Sequence, residues 1–343
     1  MNRTTLLALS LAATALWMGA CGSTGGTDAA MVSVPTTDAA ADVALDAALP
    51  PVEDAAPLPV DAAPLAPCVG KSAQTKRDDT WQLAFGADTR SFDLHFPATY
   101  DPNVPTPIVL NFHGYTSNAP QEVLLSNMND KADTAGFIVV YPQGTGTAQS
   151  WNAGACCGDA AAQNKDDVGL VGKILDMLED RLCVDTKRVF ATGMSNGGFM
   201  SHRLACEMST RIAAVAPVAG VLGISTCAPT RPVPIMHFHG TLDPLVPYAG
   251  STVLGFPSVP DTFAGWAKRQ SCVGDALETY RKVDTHCATY NACAQGSEVT
   301  LCTVDGGGHT WPGGTPIPAL GYTTPNLVAT DAMWDFFVKH PMR

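Results

Sequence analysis

The chain has 343 residues, with 20 Lys and Arg against 32 Asp and Glu, for a net charge of −12. That length admits one large domain plus flanking segments. The acidic balance lacks the basic footprint of a nucleic-acid-binding protein and excludes nucleic acid as a partner.

In chain order, the first element is MNRTTLLALSLAATALWMGAC. One basic residue, Arg3, precedes an apolar run from Leu6 to Met18 that is short for a membrane span. Residues 1–21 therefore read as a signal peptide. Met18-Gly19-Ala20-Cys21 resembles a bacterial lipobox, with methionine where leucine is usual. The expectation is lipidation at Cys21 and a secreted, surface- or outer-membrane-anchored lipoprotein that meets the membrane only through that anchor. Residues 22–67 follow as a tether rich in Ala, Pro and Asp, without aromatics, Lys or Arg. Such a composition cannot bury enough apolar surface to offset its ordering entropy. Its seven acids (Asp28, Asp38, Asp42, Asp46, Glu53, Asp54 and Asp61) carry most of the net charge.

Residues 68–343 form the catalytic unit in this reading. Ten cysteines remain beyond Cys21, an even number in an exported chain, which predicts disulfides. Cys287 with Cys302, Cys272 with Cys293, and Cys206 with Cys227 are the expected pairs. The adjacent Cys156 and Cys157 are expected to bond to different partners. No paired CxxC spacing favours zinc, and no metal or cofactor is called for.

RSFDLHF alternates like a half-buried strand. PIVLNFHG and GFIVVYPQG are near-continuous apolar runs, as buried parallel strands require. RVFATGMS, IAAVAPVAG, PIMHFHGTLD and VTLCTVDGGGH follow. Between them, QEVLLSNMNDKADTA, VGLVGKILDMLEDRL and FMSHRLACEM show helical spacing, and a closing helix is expected over 327–339. The alternation predicts an α/β fold, a mostly parallel central sheet with helices on both faces, in a single domain.

Gly193-Met194-Ser195-Asn196-Gly197 sits between a strand and a helix and fits G-x-S-x-G. Side chains at the glycine positions would collide with the neighbouring strand or helix, so the turn serves to present Ser195. A serine nucleophile needs a base and an orienting acid. In the order Ser, Asp, His, the candidates are Asp243 in HGTLDPLVPY and His309 in GGGHTWPGG, each just past a strand end. The backbone N–H groups of Asn196 and of Tyr115, in HGYTSN, are the candidate oxyanion donors, with Gly114 as the alternative to Tyr115. His237 and His239 share a strand face. They read as packed or hydrogen-bonded residues rather than a metal pair. Asp166 and Asp167 read as the start of a helix.

HGYTSN, YPQGT, SWNAGACCG, DDVG, GMSNGGFMSHRLACE, APVAG, HFHGTLDPLVPY and GGGHTWPGG together resemble the polyhydroxybutyrate depolymerase-like esterases. That group includes the feruloyl and acetylxylan esterases of carbohydrate esterase family 1. The resemblance covers nearly all of 80–339. It implies an α/β-hydrolase fold and a serine carboxylesterase with Ser195 as nucleophile, Asp243 as acid and His309 as base. It also implies that Trp151, Asn152 and the Cys156–Cys157 loop lie near the pocket, with Trp311 lining one side. The expected substrate is a small or oligomeric ester, polysaccharide-linked, acted on by a monomer. Feruloyl or acetyl esters of plant polysaccharides are the first expectation and a polyester the alternative. With no substrate-binding domain expected after the catalytic part, soluble esters are expected over a solid granule. A dead hydrolase scaffold used for binding is disfavoured, because no triad member or elbow glycine is missing.

Overall fold

The computed structural model describes residues 68–343. The segments read as signal peptide and tether, with Cys21, lie outside the described residues.

One ten-stranded sheet organises the domain, in the order β1-β2-β4-β3-β5-β6-β7-β10-β9-β8. β1 (Asp78–Phe85) and β2 (Asp88–His95) form an antiparallel ribbon at one edge. β3 (Thr106–Phe112), β4 (Ile138–Pro142), β5 (Val184–Met194), β6 (Ala214–Val218), β7 (Ile235–Gly240) and β10 (Val299–Val304) run parallel. β9 (Thr285–Tyr290) and β8 (Leu277–Lys282) close the other edge antiparallel. The predicted continuous apolar runs are the central strands. Every residue of β3, β4, β6 and β10 is buried. The edge strands β1 and β8, and β9 beside β8, carried no comparable continuous signal.

Alternation along the strands splits the core into two layers. Ile108, Leu110 and Phe112 face α4 (Asp167–Arg181), α5 (Asn196–Glu207) and α6 (Val259–Arg269). Val109, Val139 and Phe190 face α1 (Ala119–Ser126), α2 (Met128–Ala135) and α7 (Ala329–Phe337). Each such fully buried aliphatic or aromatic side chain is worth about 1.5–3 kcal/mol. A short α3 (Gly158–Ala162) lies in the loop after β4.

The segment expected as one helix from Gln121 to Ala135 is two. Asn127 adopts φ 51° and its N–H caps Val123 O, so α1 ends there and α2 begins at Met128. Asparagine tolerates this left-handed conformation, which ends the helix. Asp166 caps α4 as expected, its Oδ1 accepting Gly169 N–H at 2.8 Å. Asp167 does other work. It is fully buried, accepts Asn152 N–H at 2.7 Å and pairs with Arg90 at 3.5 Å.

The three expected disulfides, Cys206–Cys227, Cys272–Cys293 and Cys287–Cys302, are present. Cys287 and Cys302 stand opposite each other in the β9–β10 register. Two pairings differ from expectation. Cys156 and Cys157 bond to each other rather than to separate partners, since no other cysteine is left over among the described residues. Cys68, the first described residue, bonds to Cys183, just before β5.

Glu122 on α1 is fully buried, and neither carboxylate oxygen has a partner among the described residues. Burial alone pushes its carboxyl well above the ordinary range. The folded state therefore binds this proton more tightly than the unfolded chain, and stability falls as pH rises above the ordinary glutamate range. Glu122→Gln is expected to stabilise the fold by about 1–3 kcal/mol at pH 8 and by little at pH 4.5. Urea unfolding at the two pH values checks this; an equal gap at both would contradict the assignment.

Candidate active site

Ser195 follows β5 directly and precedes the first turn of α5. Its backbone adopts φ 57°, ψ −118°, a region costly for any residue with a side chain. The flanking glycines explain how the chain tolerates it. A Cβ on Gly193 would lie 2.4 Å from Phe112 O, and one on Gly197 would lie 1.9 Å from the same oxygen. No larger residue fits between β3 and the elbow. Ser195 N–H donates to Val218 O at 2.9 Å, which ties the turn to the end of β6. The side chain is partly exposed, whereas its neighbours from Ala191 to Met194 and Asn196 to Met200 are buried.

Asp243 lies in the loop after β7, and His309 in the loop after β10. Their strands are neighbours, and the loops are stitched together by Thr241 N–H to Val304 O and Leu242 N–H to Gly307 O, both 2.9 Å. His309 Nδ1 is 2.7 Å from Asp243 Oδ2. Asp243 Oδ1 accepts Leu245 N–H and Val246 N–H at 2.9 and 2.8 Å. Burial acts to raise the Asp243 carboxyl. The His309 charge and hydrogen bonds from His239 and His309 outweigh it and hold the group well below the usual carboxylate range. Asp243 is therefore ionised and acceptor-only, so His309 carries its hydrogen on Nδ1. Nε2 is left to accept a proton. Of the glycines before His309, Gly306 adopts a left-handed φ of 72°, while Gly307 and Gly308 are needed for close approach. A Cβ on Gly308 would lie 2.2 Å from Leu320 O, and His309 N–H itself donates to that oxygen at 2.8 Å.

The N–H groups of Tyr115 and Asn196 have no protein acceptor among the described residues. Gly114 packs against the nucleophile turn; a Cβ added there would lie 3.4 Å from Ser195 Cβ. The Tyr115 side chain is 41% exposed, so only its backbone is held at the site. His113 braces this loop. Its Nδ1–H donates to Gly114 O at 2.7 Å and its Nε2 accepts Gly144 N–H at 2.9 Å. Burial pushes its pKa down to about 4, so it stays neutral and keeps that tautomer.

Trp151, Asn152 and Trp311 are held inside the fold by protein partners. Trp151 and Trp311 are fully buried and Asn152 nearly so. Trp151 stacks edge-on to Phe112, and its Nε1–H donates to His113 O at 3.0 Å. The Asn196 side chain clamps the Trp151 backbone, Oδ1 accepting its N–H at 2.7 Å and Nδ2 donating to its carbonyl at 3.1 Å. Asn152 Nδ2 donates to Asn164 Oδ1 and Lys165 O. Trp311 Nε1–H donates to Thr330 Oγ1 at 3.0 Å in the second core layer. The family resemblance implied a place near the pocket; in the structure their side-chain N–H groups bind protein. Sequence reasoning missed the supporting roles of His113 and of the Asn196 side chain. The signal available was a histidine at the end of an apolar strand.

A cavity of about 460 Å³ opens at the end of β4, and Ser195, Asp243 and His309 are not among its lining residues. Its lining includes Arg90, Gln143, Thr145, Asp159, Gln163 and Lys165. It shares Gly144 with the His113 brace. Among the described residues, no group of three or more His, Cys, Asp or Glu could hold a metal ion.

The family profile for esterase PHB depolymerase matches residues 91–273. Feruloyl esterase B of Piromyces equi is 33% identical over 64% of this chain, which spans 42% of that protein's length. Feruloyl esterase C of Emericella nidulans is 29% identical over 73% of this chain and 84% of its own. Among solved structures, the acetyl xylan esterase from Aspergillus awamori superposes with a TM-score of 0.55 at 16% identity. That superposition covers 76% of this chain and 99% of the other, and supports the α/β-hydrolase fold. With the profile matching more than half of the chain over its elbow and acid loop, this domain belongs to the esterase PHB depolymerase family and is a serine-type carboxylester hydrolase.

Proposed function

We propose that the protein is an exported carboxylesterase that cleaves feruloyl or acetyl esters on plant polysaccharide fragments through an acyl-enzyme at Ser195. The observation that carries the reading is the 2.7 Å Asp243–His309 pair, set in loops at the same end of the sheet as a strained, glycine-flanked serine. His309 Nε2 takes the Ser195 proton as Oγ attacks the ester carbonyl. Asp243 holds the imidazole and stabilises its charged form. The N–H groups of Tyr115 and Asn196 receive the oxyanion. His309 then protonates the departing alcohol and activates water, which releases the acid. No step requires a metal or cofactor.

The relatives' names supply the acyl groups, since a triad does not fix the substrate. Five disulfides suit an oxidising compartment, which agrees with export; anchoring at Cys21 is part of the proposal. A polyester substrate is the second reading, favoured by the family match.

Acid release from methyl ferulate, from a feruloylated xylo-oligosaccharide and from a polyhydroxybutyrate suspension separates the readings. Ferulate is expected from both feruloyl esters, with the higher kcat/KM on the oligosaccharide. Release of hydroxybutyrate with no turnover of either feruloyl ester would replace this function with the polyester reading.

A further inference from the structure

Behind Asp243 lies a row of buried histidines that the triad chemistry does not use. His239, at the end of β7, is almost fully buried. Its Nε2 is 2.8 Å from Val246 O and 3.4 Å from Asp243 Oδ2. Its Nδ1 is 3.1 Å from His237 Nε2. His237 in turn packs edge-on to His202, ring centroids 5.2 Å apart, and Trp266 Nε1–H donates to His202 Nδ1 at 3.0 Å.

The acceptors fix the hydrogens. Val246 O and the ionised Asp243 Oδ2 can only accept, so His239 must carry its hydrogen on Nε2. Its Nδ1 shares a hydrogen with His237 Nε2 at 3.1 Å. His237 Nδ1 is left without a partner among the described residues. Burial pushes the His237 pKa well down and that of His202 to about 3, so neither ring competes as a cation. The groups facing His239 are Asp243, His237 and, edge-on at 6.0 Å, Tyr248, whose hydroxyl is engaged with Thr303.

We infer that His239 is a positioning residue for the triad: its Nε2–H holds the Val246 carbonyl at 2.8 Å and faces Asp243 Oδ2 at 3.4 Å, and so fixes the loop and the carboxylate that orient His309. Two contacts converge. The residue whose carbonyl His239 holds, Val246, also supplies an N–H to Asp243 Oδ1. The oxygen His239 faces, Oδ2, is the one bonded to His309. The inference rests on the triad reading above, and not on any particular acyl group.

The test compares the wild type, His239→Phe and His239→Gln on p-nitrophenyl acetate across pH. Phenylalanine keeps the ring volume and removes both nitrogens. Glutamine places an amide N–H near the Nε2 position and an acceptor beside it. His239→Phe is expected to lose roughly 10- to 100-fold in kcat, the fold-change of one charge-assisted hydrogen bond, with KM little changed. The acid limb of kcat/KM should move upward, because an Asp243 with one donor fewer draws the His309 proton more strongly. His239→Gln should recover most of both. A folded His239→Phe with wild-type kcat and pH profile would overturn the inference, as would a glutamine variant no better than phenylalanine. Should the phenylalanine variant not fold, ¹⁵N spectra of the histidines in the wild type decide. A proton on His239 Nε2 supports the inference, and one on Nδ1 contradicts it. Labelling of Ser195 by a fluorophosphonate in the wild type tests the triad reading separately.

Discussion

Replacing Ser195 by alanine is expected to lower kcat for p-nitrophenyl acetate by roughly 10⁶-fold, the scale at which a serine hydrolase without its nucleophile operates. The fold should survive. Alanine keeps the Cβ that the turn already accommodates at φ 57°, and the backbone bond from residue 195 to Val218 O does not involve the side chain. A melting temperature within a few degrees of wild type, together with lost turnover, is the expected pair of results. Turnover within tenfold of wild type would show that hydrolysis uses another residue.

Asp243→Asn is the second large effect, expected at about 10⁴-fold in kcat. The geometry dictates how the amide must sit. Leu245 N–H and Val246 N–H both point at Oδ1, so the amide oxygen takes that place. The new NH₂ then faces His309 Nδ1, where Asp243 Oδ2 now accepts at 2.7 Å. His309 must present a lone pair on Nδ1 and carry its hydrogen on Nε2, the nitrogen needed to take the Ser195 proton. Because the loop bonds to Oδ1 persist, the fold should survive, with the main loss in kcat and some loss of unfolding free energy as the carboxylate charge is removed. Parallel kinetics and urea titration check this. A variant with near-wild-type kcat would remove Asp243 from the orienting role.

The fold class was legible because its carriers are long. Seven-residue β3 is buried throughout, and a parallel strand covered on both faces must read as a continuous apolar run. The elbow was legible for a steric reason that the structure makes explicit, the approach of Gly193 and Gly197 to Phe112 O. Edge strands were harder to see. β8 is mostly exposed, so nothing in its pattern distinguishes it from a loop. The split at Asn127 was hidden because an apolar helical spacing continues across it.

Tryptophans near a site motif were the least legible. A large side chain that serves the pocket and one that braces the loop beneath it have the same local sequence. Only the three-dimensional partners of Trp151, His113 O and the Asn196 amide, distinguish them. The vicinal Cys156–Cys157 bond was similarly unreadable, since pairing depends on which cysteines the fold leaves over. The histidine row shows the reverse case. The spacing of His237 and His239 on one strand face was visible as hydrogen-bonding residues, but their link to Asp243 arises from the return of the loop to Val246.

The measurement closest to the central claim is covalent labelling. The wild-type protein and Ser195→Ala would be treated with a fluorophosphonate, digested, and the modified peptide sequenced by mass spectrometry. A single adduct is expected on Ser195 in the wild type, formed faster as His309 deprotonates, with no adduct in the variant. A folded wild type that remains unlabelled, or an adduct at another serine that persists in Ser195→Ala, would contradict the assignment of Ser195 as the nucleophile.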